Sequence, residues 1–468
     1  MLWAAIAAYA AGFSALSVLR QDAFNTGRFD MGNMVQAVWS TAHGHFLRVT
    51  SLQGEQISRL AAHFDPILVL FAPLWWIWPS PDMLVVVQAV AVALGALPVF
   101  WLARKHLRSE RAGLGFALAY LLYPPVQWLT LNEFHPVALA CPLLLFSFWY
   151  LDEDRLLPFA AFAVLAATTK EEIALVTAFF GIWYAVRRRR WVTGGVIAAA
   201  GVAVSAIAIG VVIPHFNHGS GSSFYARYGD VGGSPGGVLH TAATRPWLLV
   251  EKAFGRGFHY LVDLLVPLGG LWALAPLALL AVLPELAINL LSRTPAQTSI
   301  HFHYTAGEIP PLVIASVLGA AWLARRRPDI GSSLATGAVA LCLLANYYQG
   351  AIPLWASLPG GSLYQQHDTL VTAHDRIAQE ALRLIPKDGV VSATNAFGAH
   401  LSARRRVLSL PKLSDATWVA ADETHPSYAD RTAPIPSAND LAALRRNPDW
   451  RLVFERDGIL VFRRILRP

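Results

Sequence analysis

Apolar runs close to bilayer-spanning length follow one another through the first three-quarters of this 468-residue chain. A spanning α-helix needs about 20 predominantly apolar residues. In hydrocarbon the backbone must satisfy its own hydrogen bonds, so such runs imply a bundle of transmembrane helices. Only 14% of the residues are charged and the mean hydropathy is +0.44, whereas soluble domains carry about 25% charged residues. Sixteen tryptophans, with Trp75, Trp76 and Trp78 close together, suit the aromatic belts of membrane interfaces. The formal charge of +7 is concentrated in short arginine-rich blocks. It reports membrane topology and gives no ground for nucleic-acid binding. Cys141 and Cys342 both lie inside apolar runs, which argues against a disulfide framework or a zinc site.

The basic blocks are Arg104 to Arg111, Arg187 to Arg190 and Arg325 to Arg327. The positive-inside rule places all three in the cytoplasm. Leu2–Leu19 lacks a basic N-region and a small-residue cleavage site, so it reads as a retained span. From these anchors Leu2–Leu19 exits, Met83–Ala103 returns, Ala112–Leu131 exits and Val137–Leu151 returns. Leu156–Thr169 and Ile173–Val186 form a short pair with Lys170-Glu171-Glu172 at the outer bend, and Trp191–Ile213 exits. A Gly/Ser-rich stretch from Asn217 to Gly237 follows. Gly269-Gly270 divides Phe258–Leu291 into two short helices, and Pro310–Ala324 and Ser332–Tyr348 complete the set. The expectation is a polytopic helical membrane protein of about eleven spans, N-terminus inside. Pro66–Trp78 is too short to cross and reads as re-entrant or interfacial.

Beyond the transmembrane domain, residues 1–350, the chain turns polar, and residues 351–468 read as a small α/β domain outside the membrane. His367–Ile385 is an expected amphipathic helix, stopped by Pro386 and Gly389. Val390–Thr394, Val407–Leu410 and Trp418–Ala421 are strand-like, and Arg451–Glu455 with Ile459–Arg463 form a hairpin around Asp457-Gly458. Ser437-Ala438-Asn439-Asp440 is set to cap a short helix.

Polar motifs interrupt the apolar half at one membrane level. Asp30 follows the first span, and residues 31–47 carry a helical apolar pattern, so Asp30 serves equally as an N-cap or as a reactive carboxylate. Arg28, two residues before it, is either a solvated charge or an anion contact. In His63-Phe64-Asp65-Pro66 the aspartate and proline make an ordinary helix start, which leaves His63 without a structural reason. Asn132-Glu133-Phe134-His135-Pro136 sits in a tight turn and puts two ionisable groups, Glu133 and His135, at the same level. Lys170-Glu171-Glu172 is the hardest to explain structurally. A charge near mid-bilayer costs about 2.5–3.5 kcal/mol and normally pairs or lines a cavity. His301 and His303 have the i, i+2 spacing of strand metal ligands but lack an evident third ligand, and Tyr304 follows them. Tyr225, Arg227, Tyr228 and Asp230 group within the Gly/Ser-rich loop as a lid or as interfacial packing.

In this order the motifs resemble a large bacterial family of polytopic membrane proteins catalogued as a domain of unknown function. The matching stretches are Phe29-Asp30-Met31-Gly32 through Gln36-Ala37-Val38-Trp39, His63-Phe64-Asp65-Pro66-Ile67-Leu68, Trp78-Pro79-Ser80-Pro81, Asn132-Glu133-Phe134-His135-Pro136, Lys170-Glu171-Glu172 and His303-Tyr304. That family is similar in architecture to the GT-C glycosyltransferases, among them protein mannosyltransferases and aminoarabinose transferases of lipid A. The resemblance implies sugar transfer from a polyprenyl-phosphate donor to an envelope glycan, lipid or protein on the outer face of the bacterial inner membrane. Many GT-C enzymes have paired acidic residues in the first outer loop. Here Met31 follows Asp30, so a divalent metal is an open option without an assigned ligand set.

The chemistry requires a base for the acceptor hydroxyl, for which Asp30 is the candidate. It also requires groups that stabilise the departing phosphate. Lys170 and Arg28 are the candidates, with His63 and His135 as further donors. Asp65, Glu133, Glu171, His303 and Tyr304 complete the expected donor-binding set, and Glu133 and Glu171 are expected to bind sugar hydroxyls or hold Lys170. Two other classes fit a buried polar site: a flippase of lipid-linked precursors, and a non-catalytic assembly protein. The first requires polar residues continuing to the cytoplasmic side, and the second tolerates neutralisation of Asp30.

Overall fold

A computed structural model describes residues 1–363, 368–424 and 438–465. Among these residues, three helices are long and apolar enough to cross a bilayer: Leu2–Asp22, Pro81–Leu107 and Trp191–Phe216. Glu110–Leu122 and Pro124–Leu131 make a fourth if their 50° bend is counted as one broken span. The bend corrects the uninterrupted helix expected over Ala112–Leu131. Pro124 and Pro125 follow Tyr123, which takes the extended backbone (ψ 119°) that a residue before proline prefers. Pro66–Ile77, Pro136–Asp152, Leu156–Ala167, Pro276–Leu291 and Ile309–Ala324 are shorter apolar helices. Close packing follows from small residues. A Cβ at Gly95 would lie 2.4 Å from the Tyr120 hydroxyl, which instead donates to the Val92 carbonyl at 2.8 Å.

The helix ends segregate by chemistry. Pro136–Asp152 begins beside His135 and ends where Asp152 accepts from Lys105 (2.6 Å) and His106 (2.9 Å). Leu156–Ala167 returns toward Lys170, and Ile173–Arg188 brings Arg188 back to donate to the Asp152 carbonyl. The first two basic blocks therefore meet on the Asp152-Glu153-Asp154 turn. The motif residues occupy the opposite ends of the same helices.

At the motif end the chain is less regular than its pattern predicts. The helix expected over residues 31–47 is confined to Asn33–Ala42 and stops before Gly44, whose φ is +83°. A short antiparallel hairpin then forms, β1 (Arg48–Thr50) and β2 (Gln56–Ser58).

The C-terminal part is a mixed sheet of β3 (Val391–Ala393), β4 (Val407–Ser409), β5 (Trp418–Asp422), β6 (Trp450–Arg456) and β7 (Ile459–Arg464), in the order β4-β3-β5-β7-β6. These strands fall where the sequence predicts. Asp457 and Gly458 both take positive φ, as a tight hairpin requires. Val391, Ala393, Ala420 and Val461 pack on one face with the Ala373–Leu382 helix, while Leu408, Val419, Leu460 and Phe462 pack on the other with Leu441 and Leu444. That helix starts six residues later than expected, because a Thr372–Asp375 capping box fixes its end. His367 and the expected cap at Ser437 lie outside the described residues.

Candidate active site

Asp30 stands on a π-helical turn, Arg28–Gly32, that surrounding groups hold in place. The Glu133 carboxylate accepts from the Gly27 and Met31 N–H groups at 3.1 and 2.9 Å, and Asn395 Oδ1 accepts from the Arg28 N–H at 2.8 Å. Gly32 is required there, because a Cβ would meet Ser402 Oγ at 2.6 Å. Asp30 makes no capping bond to this turn or to the helix after it, so the capping explanation falls away. Its side chain is 57% exposed, walled by protein and open to water through a cavity of about 660 Å³.

The sequence-predicted residues converge on that cavity unevenly. Asp30, His63, Asp65, His135, Lys170, His303 and Tyr304 line it, although they come from five separate stretches of chain. Arg28 does not. Its fully buried guanidinium donates to Ser409 Oγ and to the Thr50 and Val407 carbonyls at 2.7–2.8 Å, pinning the Asp30 turn to β4. Arg28 is therefore corrected from anion contact to a tie between the two parts of the protein. Glu133 and Glu171 are likewise committed within the protein. Glu133 binds backbone N–H groups, while Glu171 accepts from His63 Nδ1 (2.9 Å) and the Phe64 N–H (3.0 Å), so neither holds Lys170 by a hydrogen bond. The partner of Lys170 is Glu172, at 2.5 Å.

Two cavity cations lie outside the predicted set. Arg59 lines the cavity and donates through Nε to Asp65 at 2.8 Å. The sequence signal was faint, a single arginine six residues before Asp65. Arg227 rests over Phe224 (4.4 Å), and Phe224 stacks on His63 (4.6 Å, 14°). Among the described residues its guanidinium makes long hydrogen bonds, 3.4 Å to Tyr304 Oη and 3.5 Å to Gln297 Oε1. Of the Tyr225–Asp230 group noted in the sequence, Arg227 thus lines the cavity, beside Phe224. Gln88 was also missed, although a polar side chain inside an apolar helix signals a role. Its amide donates to the Thr130 and Glu133 carbonyls at 2.9 and 2.6 Å, and its Oε1 accepts from the His135 N–H at 2.9 Å.

Charges in this space shape one another. Burial pushes the Asp30 carboxyl up, but contact with His135 and the charges of His135, Arg59 and His63 hold it below the usual carboxylate range. Burial and the neighbouring Asp30 charge push the Glu133 carboxyl up to about 7. Burial disfavours the Lys170 ammonium, yet Glu172, Glu171 and Glu285 more than offset that and raise it. His303 is held well below the usual imidazole range by burial, with His135 and Lys170 adding to the effect. The Asp30 carboxylate and several fixed cations therefore share a cavity. The residues around Asp30 do not make a divalent-metal ligand set, because Glu133 is committed to N–H donors and Met31 occupies the paired position. Among the described residues no cluster of three or more His, Cys, Asp or Glu is placed to hold a metal.

The sequence matches, over residues 20–461, the family described as predicted membrane protein, DUF2079. The chain shares its fold with ArnT from Cupriavidus metallidurans in the apo state, at 13% identity and TM-score 0.53, covering 97% of this chain and 96% of that one. The same protein bound to undecaprenyl phosphate gives 11% identity and TM-score 0.53, with 98% and 97% covered. Among curated proteins none matches. At these identities the likeness is one of fold, and it agrees with the architecture expected from the family resemblance. By the extent of the family match, the chain belongs to the DUF2079 family of predicted membrane proteins.

Proposed function

We propose that this protein is a GT-C-type glycosyltransferase that moves a sugar from a polyprenyl-phosphate donor to an envelope acceptor on the outer face of the bacterial cytoplasmic membrane. The observation that carries this reading is the make-up of the cavity: Asp30 supplies an ionised carboxylate, and Arg59, Lys170 and Arg227 supply cations lining the same space. The crystallised complex of ArnT with undecaprenyl phosphate supports a lipid phosphate as the donor's anchor. Asp30 takes the proton of the acceptor hydroxyl as its oxygen attacks the anomeric carbon. The bond from that carbon to the phosphate oxygen breaks, its electron pair leaves with the lipid phosphate, and the three cations stabilise the developing charge. His63, His303 and Tyr304 are placed to bond sugar hydroxyls, while Asp65 orients Arg59. The arginine-rich helix ends face the cytoplasm, the cavity and the C-terminal sheet face outward, and the shorter apolar helices complete a set of about eleven spans.

Purified protein supplied with radiolabelled polyprenyl-phosphate sugar should form product with an envelope extract as acceptor. Asp30→Asn, which makes no cap to lose, should fold normally and lose roughly 10²-fold or more in transfer. Undiminished transfer by that variant removes Asp30 from the mechanism. Orientation is tested separately: cysteine at Ser220 should react with an impermeant thiol reagent in intact cells, and cysteine at Glu110 should not. The reverse pattern inverts the topology.

A further inference from the structure

His135 has two ring nitrogens, and the structure tells them apart. Nδ1 lies 2.7 Å from the Asn132 carbonyl oxygen, which can only accept, so Nδ1 carries a hydrogen. Among the described residues Nε2 is buried without a hydrogen-bond partner, and Asp30 Oδ1 is 3.5 Å away. In the neutral ring this nitrogen turns its lone pair toward a carboxylate that also only accepts. Two acceptors so placed leave room for one proton and gain no favourable contact without it. The ring is held from turning away. His303 stacks on it with centroids 3.7 Å apart at 20°, and Asn132 Oδ1 fixes His303 through its N–H (3.0 Å) and Nδ1 (3.1 Å). Asn132 therefore orients both imidazoles, one through its backbone and one through its side chain.

We propose that His135 is the proton-holding partner of Asp30: Nε2 takes over the proton that Asp30 draws from the acceptor hydroxyl. This rests on the transfer reading above. As the acceptor oxygen bonds to the anomeric carbon, its proton passes to Asp30 and then to Nε2, leaving an imidazolium beside a regenerated carboxylate. The proton leaves to water with the products, while the electron pair of the broken bond has gone to the lipid phosphate. The surroundings favour this resting place. Arg59 and His63 act on Asp30 from the segment after β2, Glu133 from the turn behind it, and Lys170 and Arg227 act across His303. Arg59 and His63 thus help hold Asp30 in its ionised form, so a proton drawn onto it is readily passed on.

The test uses the full-length protein in detergent. A water-soluble carbodiimide modifies a carboxyl only when it is protonated, so labelling of Asp30 against pH, read by peptide mass spectrometry, follows its proton without requiring activity. His135→Phe keeps a ring for His303 to stack on and removes Nε2. Asp30 labelling then extends to higher pH, because the carboxyl has lost the contact that helps hold it ionised. With a polyprenyl-phosphate sugar as donor, kcat falls on the order of tenfold or more while the donor KM is unchanged. His135→Gln can still hold Asp30 in place but cannot take a proton, so it shows both effects too and carries the test alone if the Phe variant does not fold. An unshifted labelling profile in either folded variant, or full kcat in His135→Gln, overturns the proposal. A shifted profile in protein whose wild type transfers no sugar supports the proton pair and removes only the transfer reading.

Discussion

The two ends of the helix bundle both collect ion pairs, at nearly the same distances, and they differ in everything else. At the arginine-rich end Lys105 lies 2.5 Å from Glu153, with side chains 35% and 34% exposed, and Arg190 meets Asp154 at 2.9 Å with 53% and 31% exposed, while Lys105 also reaches the buried Asp152 beneath them. At the cavity end Lys170 and Glu172 are 2.5 Å apart with 15% and 7% exposed, and Arg59 and Asp65 are 2.8 Å apart with 9% and 2% exposed. Water screens the Lys105–Glu153 and Arg190–Asp154 pairs, and such pairs contribute about 0–1 kcal/mol each. The second set has been taken out of water, a loss that mutual attraction offsets only with good geometry and further hydrogen bonds. Distance alone therefore ranks nothing. Burial separates charges that anchor a surface from charges held where a reacting anion would come.

A matched lysine exchange tests this most strongly. Lys170→Met leaves Glu171, Glu172 and Glu285 without their shared cation, and breaking a buried pair costs about 3–5 kcal/mol. The detergent-solubilised protein should show a clear drop in thermal midpoint. Lys170→Met with Glu172→Gln should recover most of that stability without recovering donor affinity, so KM for the polyprenyl-phosphate sugar should stay raised by roughly tenfold, about 1.4 kcal/mol. If the double variant binds donor normally, Lys170 serves the fold alone.

Arg28→Met comes next. It leaves the Thr50 and Val407 carbonyls buried without their donor, at about 1–3 kcal/mol for each unsatisfied group. Limited proteolysis should then attack the junction between the Asp30 turn and β4 first, and transfer should fall as that turn loosens. An unchanged cleavage pattern would mean that Asn395 and the packing of Gly32 against Ser402 suffice to dock the sheet.

The contrast between the ends also shows what a sequence can and cannot disclose. The convergence of Asp30, His63, His135 and Lys170 was legible, because each lies at the same kind of helix end once the arginine blocks fix direction. Their partners were not. Arg28 finds Val407 and Ser409 nearly 380 residues away, and no local pattern marks such a contact. The short hairpin β1–β2 was hidden because its strands, Arg48–Thr50 and Gln56–Ser58, carry a single aliphatic residue each and stand in no longer apolar run. The strands of the C-terminal sheet were legible through their β-branched and aromatic runs and the Asp457-Gly458 turn. Asn132 appeared only as a turn residue, and its hold on two imidazoles required the chain segments to be brought together.

His374 offers an intermediate case, bridging Asp422 and Asp457 at 2.8 Å each, with side chains 14%, 6% and 46% exposed. Burial disfavours the charged ring, but the two aspartates outweigh it and raise its pKa above the ordinary value. A group raised on folding contributes stability that is full below its unfolded pKa and is lost as pH rises through the folded one. The C-terminal sheet should accordingly unfold more easily at pH 8.5 than at pH 6, and His374→Gln should flatten that difference. A slope of opposite sign would place the neutral imidazole in the folded state.

The smallest effect is expected at the arginine-rich end. Arg190 grips Asp154 with both terminal nitrogens, at 3.0 and 2.9 Å, and also reaches the Tyr184 hydroxyl at 3.1 Å. On geometry alone this is a better ion pair than Arg59 makes with Asp65. Yet Arg190→Ala leaves Asp154 its hydrogen bond from Tyr184 and access to water, so no buried charge is stranded. Stability should change by no more than about 1 kcal/mol, sugar transfer should be unaffected, and the remaining Arg187, Arg188 and Arg189 should preserve orientation. Raising the salt concentration should shrink even that small change, because an exposed pair is screened within a Debye length of about 8–10 Å. A loss of 3 kcal/mol or more, insensitive to salt, would show that the arginine-rich end is as desolvated as the cavity, and burial would no longer distinguish the two.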